Sequence, residues 1–189
     1  MPSLSFPLEI NLSIELEGEA RRFARAANRA IDAATGSPFR FSGPGAVIPH
    51  ITLLMGTVSD RATLEAVARG TARVLATTPL PHYQLLDPHV VPGGLVFAGV
   101  APQDALRRFR RRLARSVAGR MALHEWGGPD SESHVTLAVV PEAPERALAL
   151  VPRRRVAGRA GSIQIARVGD YGTCAEQLVR FRISSTRPY

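Results

Sequence analysis

The chain has 189 residues, an ordinary apolar content of 45% and a formal net charge of +8. That length and composition suit one globular domain or two small, closely packed lobes, and they exclude a disordered chain. A single cysteine, Cys174, excludes an internal disulfide, and no apolar run approaches the roughly 18 residues that a membrane-spanning helix needs. The first residues, Met1-Pro2-Ser3-Leu4-Ser5-Phe6-Pro7-Leu8-Glu9, carry neither a basic start nor a continuous apolar stretch, so they do not read as a signal peptide. A soluble cytoplasmic protein is expected. The charge favours an anionic partner, RNA or a phosphorylated small molecule. Every basic residue is arginine and lysine is absent, so compositional bias accounts for part of that charge.

In chain order, Ile10, Leu12, Ile14 and Leu16 alternate with Asn11, Ser13 and Glu15, the pattern of a half-buried strand. Gly18 ends it. Residues 19–34 read as a helix with Phe23, Ala26, Ala27, Ala30 and Ile31 inward, stopped by Gly36 and Pro38. Residues 39–49, with Gly43, Pro44 and Gly45, are a loop or irregular hairpin. Residues 51–55 are a strand, and Ser59 or Asp60 caps a second helix with Leu64, Val67, Ala68, Thr71, Val74 and Leu75 as its apolar stripe. Pro79 and Pro81 stop that helix. Two short strands, 83–86 and 89–91, are separated by Asp87-Pro88.

After Pro92-Gly93-Gly94 the order restarts. Residues 95–100 are a strand, and Pro102 opens a helix running to about Ala118. Its stripe is Leu106, Phe109, Leu113 and Val117, with Arg107, Arg108, Arg110, Arg111, Arg112 and Arg115 around it as a solvated face. Residues 121–133 are loop, 135–140 strand and 144–150 a short helix. Arg153 to Arg155 form a loop or strand edge. Residues 161–168 are strand, 169–172 a turn and 176–184 a last strand.

Within this order two stretches match. Pro49-His50-Ile51-Thr52-Leu53 and Ser133-His134-Val135-Thr136-Leu137 each place a histidine and a threonine two residues apart on a strand. Strand side chains alternate, so each histidine shares a face with its threonine. The histidines lie 84 residues apart, and the order strand, helix, loop, His-x-Thr strand, helix, strand occurs over residues 10–91 and again over 95–168. Two copies about a pseudo-two-fold axis would bring both pairs to one cleft. Either pair alone is more simply a polar pair on a strand; the repeat joins them.

Two imidazoles in one cleft can act as base and acid together, because a pKa near 6.5 lets one be neutral and the other charged. Such a pair suits displacement at phosphorus, with threonine hydroxyls donating to the non-bridging oxygens. Carboxylates do not cluster around either histidine, and no metal or other cofactor is expected.

The paired motifs, in equivalent halves, resemble the 2H phosphoesterase superfamily, which includes 2′-5′ RNA ligase-like proteins and cyclic nucleotide phosphodiesterases. The resemblance covers nearly the whole chain in element order and is specific at the two motifs. It implies an α+β, bilobal, duplicated fold with antiparallel-rich sheets around a central cleft and helices outside, residues 1–189 forming one domain. It implies a metal-independent phosphodiesterase acting on 2′,3′-cyclic phosphates or related 2′-linked phosphodiesters of nucleotides or RNA. Motif for motif, His50 and His134 would be the acid/base pair, and Thr52 and Thr136 would hold the phosphate. An aromatic near the cleft is frequent in the family, and Tyr171 and Phe41 are the candidates for substrate binding. The alternatives are a non-catalytic binder of RNA terminal phosphates and a 2′-5′ RNA ligase. No membrane partner is expected. Sequence is silent on oligomeric state, with a monomer as the default.

The remaining features have plainer readings. His82, His89 and His124 sit beside prolines or in loops and read as surface or partly packed residues. Cys174 reads as an ordinary small residue, Arg153 to Arg155 as a solvated cluster, and Trp126 as a loop anchor rather than a stacking platform.

Overall fold

A computed structural model of the protein describes residues 4–182. The strands are β1 (Leu8–Glu15), β2 (His50–Val58), β3 (Tyr83–Val91), β4 (Leu95–Ala101), β5 (Ala122–Leu123), β6 (His134–Val139), β7 (Val156–Gly158), β8 (Ser162–Val168) and β9 (Cys174–Arg182). The helices are α1 (Gly18–Thr35), α2 (Arg61–Thr77), α3 (Gln103–Val117) and α4 (Pro144–Ala149). The strands form two antiparallel sheets, in the orders β5-β2-β1-β8-β9 and β6-β4-β3-β7. Helices α2 and α3 pack on β2 of the first sheet, while α1 and α4 pack against strands of the second.

The two halves of the chain exchange their third strands. β3 leaves the first half to pair with β4, and β8 leaves the second half to pair with β1. The segments β2-β1-β8 and β6-β4-β3 then match strand for strand. They also match residue for residue around the motifs. His50 faces Glu15 and Thr52 faces Ser13; His134 faces Gly99 and Thr136 faces Phe97. Both ladders then slip by one residue. Leu54 pairs with Leu12, skipping Leu53, and Ala138 pairs with Val96, skipping Leu137. A β-bulge therefore sits directly after the threonine of each motif.

Several elements differ from the sequence expectation. β1 is not half-buried: Asn11 and Ser13 are fully buried and Glu15 nearly so, because the strand's polar face joins a hydrogen-bonded stripe crossing the first sheet. Ser13 meets Cys174 Sγ at 3.5 Å and accepts from Gln164, and Glu15 bonds Arg180 at 2.9 Å. In α1 the buried face is Ala20, Phe23, Ala24, Ala27, Asn28 and Ile31; Ala26 and Ala30 are exposed. Asp87-Pro88 does not split the strand: Pro88 sits at a register shift, where its missing N–H costs the ladder nothing, and β3 is continuous. The 121–133 loop contains β5 and a single 3₁₀ turn at Glu125–Gly127. The last strand starts at Cys174; residues 183 and 184, expected to extend it, lie outside the described residues. No helix among the described residues is long and apolar enough to cross a membrane.

Asp60 caps α2, its carboxylate accepting from the Thr63 N–H at 2.7 Å. Inside that helix Gly70 is explained by a close approach: a Cβ there would lie 2.8 Å from the Ser116 carbonyl oxygen of α3. Gly70→Val should push the two helices apart and lower stability by about 1–3 kcal/mol, read by urea denaturation. An unchanged midpoint would show that the helices tolerate wider spacing.

Candidate active site

The cleft lies where β2 and β6 approach each other. His50, Thr52, His134 and Thr136 all line it. Tyr171 and Phe41, the two aromatic candidates, line it as well. Phe41 is buried and packs against Phe39 with ring centroids 5.5 Å apart, so it forms wall rather than platform. Tyr171 is 58% exposed and sits in a short turn with φ 58°, a left-handed backbone rare for a side chain of its size. That turn is closed by the Thr173 N–H on Asp170 O and the Gly169 N–H on Thr173 O.

Each imidazole is oriented through Nδ1. His50 Nδ1–H donates to Ile48 O at 2.7 Å, and His134 Nδ1–H donates to Glu132 O at 3.1 Å. A carbonyl only accepts, so both neutral rings carry the proton on Nδ1 and leave Nε2 as the exchanging nitrogen. The surroundings then diverge. The buried Asn11 amide donates to Thr52 Oγ1 at 3.0 Å and approaches His50 Nε2 at 3.3 Å and Gly172 O at 3.5 Å. Because Thr52 Oγ1 accepts, its own proton is free to be donated elsewhere. His134 has no such amide; it stacks on Phe97 with centroids 3.8 Å apart and planes 8° from parallel.

Burial lowers the basicity of both rings. For His50 desolvation takes the pKa from 6.5 to about 4; the Ile48 carbonyl opposes this, and His134 adds a smaller lowering. For His134 desolvation again lowers the pKa, opposed by the Glu132 carbonyl and carboxylate and reinforced by Arg110 and His89. Among the groups that shift the two rings, only those of His134 include a carboxylate, Glu132, which favours the charged form.

Two residues that the sequence reading set aside line this cleft. Arg110, expected on a solvated face, is 1% exposed. Its Nε–H donates to Leu53 O at 2.7 Å, Nη1 to Ser131 O and Ser133 Oγ, and Nη2 to Gly128 O. Desolvation lowers its pKa to about 10, with Asp130 opposing and Arg107 adding to the lowering, so it stays charged near neutrality. The missed signal is spacing: Leu106, Arg110, Leu113 and Val117 form one helical stripe, with Arg110 on it. Trp126 is 62% exposed at the cleft, beside Gly172, and its ring also packs on His124 of its own loop, so the expected anchoring and a place at the cleft coexist. Nothing in its flanking residues distinguishes the two roles. The other arginines of α3 are exposed or partly exposed, as expected of a solvated face. His82 and His89 are exposed and His124 is partly buried against Trp126, as expected. Cys174 is buried and desolvation pushes its thiol up to about 12, so it is inert as a nucleophile at neutral pH.

Two antiparallel sheets that set paired His-x-Thr strands about one cleft define a phosphoesterase-like class of fold. Solved structures share it. Escherichia coli LigT complexed with 3′-AMP matches with a TM-score of 0.56 at 16% identity over 95% of this chain and 99% of that one. LigT with phosphate gives 0.53 at 16% identity over 94% and 98%, and a protein described as a phosphoesterase gives 0.55 at 16% over 94% and 98%. No curated protein matches the chain. The family model described as the 2′-5′ RNA ligase superfamily matches residues 23–168, and the chain belongs to that superfamily.

The lowered pKa of His50 has a consequence for stability. Between about pH 4 and 6.5 the unfolded chain binds a proton at this position that the folded protein refuses, so stability rises with pH across that window and is complete above it. The loss on acidification to pH 4 should approach 3 kcal/mol at most. Denaturation of wild type and His50→Gln at pH 4 and 7 checks this: the difference between the two pH values should shrink in the variant.

Proposed function

We propose that the protein is a metal-independent phosphodiesterase that hydrolyses a 2′,3′-cyclic phosphate, or a related 2′-linked phosphodiester, of a nucleotide or RNA. One observation carries the reading: two histidines, each with Nδ1 tied to a carbonyl and each paired with a threonine, line the same cleft. LigT has been crystallised with phosphate, 3′-AMP and ATP, and a nucleotide is the ligand class we read into this cleft too. Seven of the chain's eight net positive charges reside in residues 61–120, which hold ten arginines and three carboxylates, an added attraction for an anionic polymer.

We read the roles from the inequality of the two histidines. His50, the more strongly held in its neutral form, takes the proton of the attacking water on Nε2. The water oxygen bonds to phosphorus as the bond to one ribose oxygen breaks. His134, with Glu132 favouring its charged form, gives the Nε2 proton to that departing oxygen. Thr52 and Thr136 donate to the non-bridging oxygens as charge grows there. Tyr171 offers an exposed ring to the base. After one turnover the net proton returns through solvent from His50 to His134.

Activity needs neutral His50 and charged His134. The kcat/KM profile of a 2′,3′-cyclic nucleotide should therefore rise above about pH 4 and fall before 6.5, a bell placed on the acid side of neutrality. An optimum above pH 7 would reverse or dismiss these roles. His50→Ala and His134→Ala should each lower kcat about 100-fold or more in chelator-treated protein, with products followed by phosphorus NMR. Tight, salt-sensitive binding of RNA ends without turnover would instead make the protein a terminal-phosphate binder.

A further inference from the structure

The β-bulges of the two His-x-Thr strands leave one carbonyl each outside the ladder, at Leu53 and Leu137, both fully buried. An unmet buried carbonyl costs about 1–3 kcal/mol, so each needs a partner. Leu53 O accepts from Arg110 Nε at 2.7 Å, and Leu137 O accepts from Asn28 Nδ2 at 2.9 Å. The two donors stand at comparable places in the repeat, in the middle of α1 and of α3. Each reaches into the opposite half: α3 of the second half closes the bulge in β2, and α1 of the first half closes the bulge in β6.

Neither donor stops at the bulge. Arg110 also holds Gly128, Ser131 and Ser133, the segment that enters β6 immediately before His134. One guanidinium thus fixes the backbone beside Thr52 and the backbone beside His134. Asn28 donates in addition to Phe39 O and accepts from the Phe41 N–H at 2.9 Å, fixing the cleft wall that leads toward β2. Both side chains are buried polar groups inside helices whose other inward residues are apolar or alanine. Packing alone would favour an apolar residue in either place.

We propose that Arg110 and Asn28 are a crossed pair of positioning residues, each closing the bulge of the other half's His-x-Thr strand so that the two histidines keep one fixed spacing. The role in turnover rests on the hydrolytic reading above; the role in holding the histidines does not. Arg110 differs from Asn28 in carrying charge. Around His134 that charge acts with His89 against the carboxylate of Glu132.

The test compares Arg110→Gln, Arg110→Lys and Asn28→Ala with wild type. Circular dichroism and melting confirm folding, and kinetics use a 2′,3′-cyclic mononucleotide well below each melting midpoint. A positioning role predicts a kcat loss of tenfold or more per folded molecule in all three, with KM changed less than threefold. It also predicts that the His134 titration, followed by proton NMR without substrate, moves up in Arg110→Gln, where the charge is gone. The titration stays near wild type in Arg110→Lys and Asn28→Ala. Asn28→Ala leaves only a small cavity and keeps the proposal testable if the Arg110 variants do not fold. Folded Asn28→Ala with kcat within twofold of wild type would overturn the proposal, as would Arg110→Gln with unchanged kcat and an unchanged His134 titration. If wild-type protein turns over no cyclic phosphate, the hydrolytic reading fails. Positioning is then judged on the histidine resonances: altered His50 and His134 shifts in Asn28→Ala support it, and unaltered shifts overturn it.

Discussion

Each motif strand carries one residue more than its neighbour can pair, and the structure depends on how the two surplus carbonyls are met. A bulge after Thr52 and another after Thr136 bend the strands where the cleft begins. Bending releases Leu53 O and Leu137 O into the interior, where no water reaches them. Arg110 and Asn28 supply the missing donors from helices of the opposite halves. The exchange of β3 and β8 between the sheets adds a second crossing of the same sense. Neither half can therefore hold its own motif strand without the other, and the cleft is a product of the pair.

The same burial that makes those carbonyls costly sets the chemistry of the histidines. Withdrawing an imidazole from water penalises its charged form, and this is the first cause of the lowered pKa at both positions. What separates the rings is what lies next to them. A carboxylate at Glu132 returns some stability to the charged form of His134, and His50 has no such neighbour among the influences on its pKa. Arg110 works against protonation of His134 but, with a pKa near 10, keeps its own charge across the range in which the histidines titrate.

The architecture was largely legible because its determinants are local. Alternation in β1, the Asp60 cap, the stops at Gly36 and Pro79 and the repeated element order all act within a few residues of where they are read. Placement of the four motif side chains in one cleft followed from the repeat alone. What escaped was set by partners distant in sequence. Charge groups Arg110 with its neighbours on α3, although helical spacing puts it on the Leu106–Leu113 stripe; only Leu53 and Ser131, far along the chain, explain why a guanidinium belongs there. Asn11 looked like the outward position of an amphipathic strand, because its partners His50, Thr52 and Gly172 lie on other strands and turns. The exchange of β3 and β8 was invisible for the same reason. Hydrophobic pattern says that a strand is covered, not which sheet it joins.

The duplication also explains why identical motifs need not do identical work. Register aligns Asn11, opposite Met55, with Leu95, opposite Val139, and aligns Ser13, opposite Thr52, with Phe97, opposite Thr136. On the first side the neighbouring strand therefore presents an amide and a hydroxyl; on the second it presents two apolar side chains. The amide reaches His50 Nε2 and Thr52, and the phenyl ring stacks on His134. An N–H facing Nε2 favours the form of His50 whose lone pair is there, whereas a ring face against His134 fixes its plane and makes no demand on which nitrogen is protonated. The Asn11 amide has two hydrogens and three acceptors within reach, so one of the three is left without its hydrogen at any moment. The inequality of the two histidines thus resides in β1 and β4, not in the motifs themselves.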